Sequence, residues 1–411
     1  MKKFIEKIST VIPYTEKQIE IDLRGKNLIL TGGNGSGKTS LVASIYQKLI
    51  NIVRSKALDN LMALEEERTR LVNQRGQAIK GDYRYEKATR RIEELAVQIE
   101  RITSNPNISI NNYMEFGEKL DSEVGIIELF HAGRRSEIYS ARNASGTKYN
   151  KNDLINPDSR IENQLEQHLV NLYTRRSFSI TEDRNQELEN EITKWFSNFE
   201  YKLKFLMEDD SVFLKFDADE FKFYIIQNGK LPYTFQNLSS GYSSIFSVFS
   251  KLLMRAEYLK VSPLSLCGVV IIDEIDAHLH VTLQRKILPF LSDSFPGVQY
   301  IVTTHSPFVL TSVSDAEIYD ISRGEQVGDL SSYSYEAVLG GLFGVSSASD
   351  ILQNKIRELS KIIKSDESSP DELQKLIDEL DREPDNLDEE AKFYLNSAKL
   401  KMHKLNQGGD K

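Results

Sequence analysis

Four short stretches of the chain carry residue types and spacings that can do phosphate chemistry. Gly32-Gly33-Asn34-Gly35-Ser36-Gly37-Lys38-Thr39 fits the spacing G-x-x-x-x-G-K-[ST]. Its glycines let backbone amides close around phosphate oxygens, a helix beginning there adds its dipole, and the Lys38 ammonium reaches the outer two phosphates of a nucleotide. The Thr39 hydroxyl can then ligate Mg²⁺. Asp273-Glu274 follows the apolar run Val269-Val270-Ile271-Ile272. Side chains alternate in direction at a strand tip, so Asp273 can enter the Mg²⁺ shell while Glu274 faces an attacking water as general base or polariser. His305 follows another buried run, 298–304, and is either a donor to a terminal phosphate or an ordinary structural donor. Leu238-Ser239-Ser240-Gly241 precedes a helical pattern. Ser239 and the amides near Gly241 make either a second helix-start anion site or a simple cap.

These residues need an α/β scaffold to meet. Ile19, Ile21 and Leu23 alternate with polar residues, and Asn27-Leu28-Ile29-Leu30 is a buried strand running into the glycine-rich turn. Leu41, Val42, Ile45, Leu49, Ile50 and Val53 fall at helical spacing after it. From 54 to 102 the chain turns charged and helical, with Ile92, Leu95, Ile99 and Ile102 in a 3-4-3 pattern and a break between Gly76 and Tyr85. That reads as an antiparallel helical hairpin with arms of ~30 Å. Its turn end is basic through Arg68, Arg70, Arg75, Lys80, Arg84, Lys87, Arg90 and Arg91, diluted by nearby glutamates. It either packs on the body or projects toward a partner or nucleic acid.

Residues 125–131 predict a strand and 182–209 a helix. Runs at 213–216, 221–226 and 231–235 predict three short aromatic strands in an antiparallel meander. Helix 245–259, strand 268–273, helix 279–292 and strand 298–304 then alternate as in a parallel sheet. The expected organisation is an α/β head in two pieces, 1–53 and 106–330, interrupted by the hairpin insertion 54–105 and followed by a mostly helical acidic region, 331–411.

The 411 residues, 40% hydrophobic, 27% charged and 9% aromatic, suit a globular chain rather than a disordered or fibrous one. The longest apolar run, 265–272, is far short of the roughly 20 residues that span a bilayer, so no membrane association and a cytoplasmic location are expected. A single cysteine, Cys267 in an apolar run, excludes zinc fingers and internal disulfides. Between Asp366 and Lys392 stand twelve acids and three bases, so the net charge of −9 resides there and the remainder is formally neutral. That stretch is a solvated tail or a docking surface for a basic partner. Nucleic-acid binding would have to use local basic patches.

Taken in order, the motifs resemble the ATP-binding-cassette heads of RecF, SMC and overcoming-lysogenisation-defect (OLD) ATPases, which are P-loop NTPases. Gly32, Asn34, Gly35, Ser36, Gly37, Lys38, Thr39 and Ser40 look like their Walker A segment, and Leu238-Ser239-Ser240-Gly241 like their signature loop. Ile272-Asp273-Glu274 resembles Walker B, Asp276–His280 the D-loop region in its OLD-like form, and Thr304-His305-Ser306-Pro307 the switch histidine. Two departures stand out. Tyr242 replaces a common glutamine, and no Q-loop glutamine is placed; Arg134 and Arg135 occupy roughly that region, where arginines can pair with phosphate.

The resemblance implies an α/β ATPase head with ATP and Mg²⁺ as ligands. It also implies a head-to-head homodimer in which Ser239 of one copy completes the site of the other. The catalytic set would be Glu274, His305 and Lys38. Nothing after residue 306 looks like a Toprim nuclease, so no intrinsic nuclease is expected. The chain further resembles ATPase subunits of anti-phage systems of the Septu, PARIS and retron types, which implies a separate effector such as a nuclease. A RecF- or SMC-like clamp on DNA is the alternative.

Overall fold

The computed structural model describes residues 3–54, 56–145, 159–344, 349–364, 370–382, 384, 387 and 389–408. The chain divides into two compact units, Met1–Ser332 and Tyr333–Lys411.

In the first unit an antiparallel sheet forms from β1 (Ile5–Val11), β2 (Gln18–Asp22) and β4 (Asn107–Ile110), in the order β2-β1-β4. The strand β3 (Asn27–Thr31) is buried along its whole length and belongs to the central sheet. After the glycine-rich turn comes α1 (Lys38–Leu49). The expected hairpin follows as α2 (Ala57–Gln77) and α3 (Tyr83–Thr103). Ala88, Ile92, Leu95 and Ile102 are its buried positions, and α2 buries none of its described residues. Next are α4 (Tyr113–Asp121), β5 (Gly125–Phe130), α5 (Leu165–Thr181) and α6 (Gln186–Met207). The Asn185 side chain caps α6 by accepting from the Leu188 amide at 3.1 Å.

The aromatic segment forms β6 (Phe213–Asp217) paired antiparallel with β7 (Lys222–Ile226). Its third run is reduced to one antiparallel bridge, Ile225 to Tyr233, followed by a 3₁₀ turn at Phe235–Asn237. Pro232 has no N–H to give to a ladder, which ends the meander there. The chain continues through α7 (Ser240–Leu259), β8 (Cys267–Ile272), α8 (Val281–Ser294), β9 (Gly297–Thr303), α9 (Pro307–Leu310), β10 (Ala316–Asp320) and β11 (Glu325–Val327).

The central sheet has the order β11-β10-β3-β9-β8-β5 and is parallel except for the β10–β11 pair. Its inner strands β3, β8 and β9 are buried at every position, as a sheet covered on both faces requires. Leu28, Leu30, Val269, Ile271 and Ile301 join Leu41, Val42, Ile45 and Leu49 of α1, and the inner residues of the antiparallel sheet, in one buried cluster. Each fully buried side chain of this size contributes about 1.5–3 kcal/mol. The cluster thus fixes α1 against the strands whose ends carry Asp273 and His305.

The second unit holds α10 (Tyr335–Val338), α11 (Asp350–Lys364), α12 (Pro370–Leu380) and α13 (Glu389–Gly408). The last three close around Leu359, Leu373, Ile377, Leu380, Leu395 and Ala398. No helix among the described residues is long and apolar enough to cross a membrane.

Candidate active site

The loop between β3 and α1 folds as its glycines demand. Gly32, Gly35 and Gly37 take φ of 140°, 74° and 94°, where a β-carbon is disfavoured. A β-carbon on Gly37 would also stand 2.6 Å from Cγ2 of Ile12. Lys38 opens α1 and is buried; its ammonium donates to the carbonyls of Gly32 at 2.9 Å and Gly33 at 3.0 Å. Burial holds it below the ordinary lysine range, against the opposing pull of Asp273, Glu274, Asp276 and Asp320. Thr39 is exposed, and Ser40 is half-buried.

Asp273 is the first residue past β8 and is 4% exposed. Thr303, the last residue of β9, donates its hydroxyl to Asp273 Oδ1 at 2.6 Å and accepts the Glu274 amide at 2.7 Å. Glu274 is exposed and lies in the left-handed region with φ 46°. That conformation costs a non-glycine residue about 1–2 kcal/mol, and the hydrogen bonds to its backbone hold it there. Thr304 donates to Asp276 Oδ1 at 2.6 Å.

His305 is half-buried one residue further on. Burial, then the Lys38 ammonium, holds its imidazole below the ordinary histidine value, while Asp276 and Glu274 push the other way. Lys38, Asp273, Glu274 and His305 thus share one electrostatic neighbourhood at the ends of parallel strands, the usual ligand edge of such a sheet.

Ser239 stands at the start of α7. It is exposed, and its side chain makes no cap hydrogen bond. Gly241 behind it is buried, with a β-carbon position 3.1 Å from the carbonyl of His278. The start of α7 therefore rests on the turn that follows Glu274.

Two positioning residues carried no sequence signal, and a third was expected in another role. Thr303 looks like any strand threonine, yet it ties Asp273 to Glu274. Ser322 accepts the Gly33 amide at 2.7 Å from 289 positions away. Arg134, expected near phosphate, instead donates to the backbone carbonyls of Asp273 at 2.9 Å and Ile275 at 2.8 Å. Both of its terminal nitrogens are engaged by the turn; Arg135 is exposed.

The loop fits a triphosphate. Among the described residues, the buried hydroxyls of Thr31 and Ser36, at the two ends of the turn, have no hydrogen-bond partner. Buried polar atoms left unpaired are costly, so such atoms in a glycine cradle beside an ammonium mark a place for an anion. Thr39 and Asp273 supply the hard oxygen ligands that Mg²⁺ takes alongside phosphates.

Among known proteins, a "Retron Ec83 probable ATPase" from Escherichia coli is 30% identical over 164 residues, covering 37% of this chain and 30% of that one. A "Septu protein PtuA" from Bacillus mycoides (strain KBAB4) is 24% identical over 338 residues, covering 79% of this chain and 41% of that protein. The chain therefore spans less than half the length of either relative. An SMC head bound to the C-terminal winged-helix domain of ScpA aligns over 79% of this chain and 96% of its own, at 13% identity and a TM-score of 0.35. The profile of the family described as "AAA domain, putative AbiEii toxin, Type IV TA system" matches residues 28–311, from β3 through the histidine turn, and the chain belongs to that family of ATPase domains.

Proposed function

We propose that the chain is an ATP-binding and hydrolysing switch that pairs head to head with a second copy and controls a separate effector, a nuclease, in anti-phage defence. The observation that carries this is the shared neighbourhood of Lys38, Asp273, Glu274 and His305 beside the glycine cradle, together with an exposed Ser239 whose side chain makes no cap hydrogen bond at the start of α7. The retron and Septu names of the relatives support the setting.

In this reading the amides of Gly32–Lys38, the Lys38 ammonium and Ser40 hold the nucleotide's phosphates. Thr39 and Asp273 hold Mg²⁺, which when bound draws charge from the phosphate oxygens. Glu274 orients the attacking water and takes its proton, while neutral His305 donates to the γ-phosphate. Ser239 and the amides around Gly241 close the site of the partner copy, so ATP joins two heads and hydrolysis releases them.

Lys38→Ala is expected to abolish nucleotide binding, whereas Glu274→Gln binds ATP, stalls turnover by about 10²-fold or more and accumulates the dimer. Phosphate release and mass photometry read both outcomes. Wild-type turnover in Glu274→Gln would remove Glu274 from its role, and an ATP-bound monomer in that variant would remove the pairing. Arg68, Arg70, Lys80, Arg84, Lys87 and Arg90 are all exposed toward the hairpin turn, which favours a DNA clamp as the second reading. That reading predicts duplex binding that weakens steeply with salt.

A further inference from the structure

The segment after β5 is a strap that touches both halves of this site. At one end the Arg134 guanidinium lies under the turn following β8. Nη1 donates to the carbonyls of Asp273 at 2.9 Å and Glu274 at 3.3 Å, and Nη2 to those of Ile275 at 2.8 Å and Glu274 at 3.4 Å. The group is desolvated enough that burial pulls it down to about 10, and its Nε has no partner. Spending a desolvated charge on three successive backbone carbonyls is costly unless the turn needs it. The residue at the centre of that turn is Glu274, held at positive φ.

Two residues further on, the strap meets the start of α7. The Ser136 amide donates to Ser243 Oγ at 3.1 Å, and Ser243 Oγ donates back to the Ser136 carbonyl at 3.0 Å. Gln236, just before the Ser239 loop, donates to the Ile138 carbonyl at 3.1 Å. The Ser243 amide in turn bonds the Ser239 carbonyl at 2.8 Å. Hydrogen bonds at both ends of the covalent segment 134–138 therefore connect the Glu274 backbone to the Ser239 loop.

We propose that Arg134 is a positioning residue, not a phosphate ligand, which aims the Glu274 carboxylate by clamping its backbone, and that the 134–138 strap couples that turn to the Ser239 loop offered to a second copy. The proposal rests on Glu274 being the water-activating group. A planar fork can bridge three carbonyls and a single ammonium cannot, so lysine should not rescue.

The experiment is ATP hydrolysis by wild type, Arg134→Gln and Arg134→Lys, with hydrogen exchange of residues 273–277 measured in parallel. Both variants are expected to lose kcat by about tenfold or more while KM for ATP stays within about twofold, and exchange at 273–277 is expected to accelerate. A raised KM at unchanged kcat, restored by lysine, would make Arg134 a phosphate contact and overturn the proposal. Unchanged exchange at 273–277 would overturn it as well, and that readout stands even if the wild type hydrolyses nothing, a result that would sink only the preceding reading. Ser243→Ala combined with Gln236→Ala spares the Arg134 clamp and removes the side-chain bonds that join the strap to the start of α7. It is expected to lower the Hill coefficient for ATP toward one, and an unchanged coefficient would refute the coupling.

Discussion

At the scale of single residues, Lys38 shows what the site is built to receive. Its ammonium is enclosed by loop carbonyls and held below the ordinary lysine range by burial. A depressed value means that the empty site releases this proton at a lower pH than free lysine does. Phosphates arriving beside the amine favour its charged form and raise the value again. In the window between the two values, ATP binding must therefore take up protons, and affinity must fall as pH rises through it. Below the window this group leaves affinity flat. Titration calorimetry at a series of alkaline pH values, each in two buffers of different ionisation enthalpy, reads the uptake directly. Equal heats in the two buffers would mean that the Lys38 amine does not meet the phosphates.

At the scale of elements, the β3–loop–α1 unit is held by tight packing as well as by hydrogen bonds. Gly37 combines φ 94° with a β-carbon position 2.6 Å from buried Ile12. Gly37→Ala is expected to destabilise the fold by about 1–3 kcal/mol, from backbone strain and overpacking together. Urea unfolding in a double-mutant cycle with Ile12→Ala separates the two causes. Recovery in the double variant marks the clash, while simple additivity would show that strain acts alone. This unit was legible in the sequence because its signals are local: a buried strand, a glycine turn and a 3.6-residue period. The hairpin α2–α3 and the strands β8 and β9 were legible for the same reason. The third aromatic run was misread because alternation signalled a strand while Pro232 denied it a ladder. Helix α5, the strands β10 and β11 and the clamp of Arg134 left no comparable pattern. The Arg134 partners are backbone carbonyls, which look alike in every sequence, and Ser322 reaches Gly33 from a distant strand end.

At the scale of the whole molecule, chemistry and charge reside in different units. The residues proposed to hold nucleotide all lie within Met1–Ser332, whereas the acid-rich span begins at Asp366, within Tyr333–Lys411. That second unit has its own buried centre in Leu359, Leu373, Ile377, Leu380, Leu395 and Ala398. A core so small leaves little margin, since few apolar side chains must offset the ordering of three helices. Leu373→Ala, at a site with 0% exposure, should cost about 2–5 kcal/mol and melt this unit selectively. Hydrogen exchange is then expected to quicken across α11–α13 while β3, β8 and β9 keep their protection. If the acidic unit serves as the docking surface for the effector, the variant hydrolyses ATP at the wild-type rate yet no longer captures its partner. Loss of turnover together with capture would show that the two units unfold as one, and retained capture would move the docking surface to the head or the hairpin.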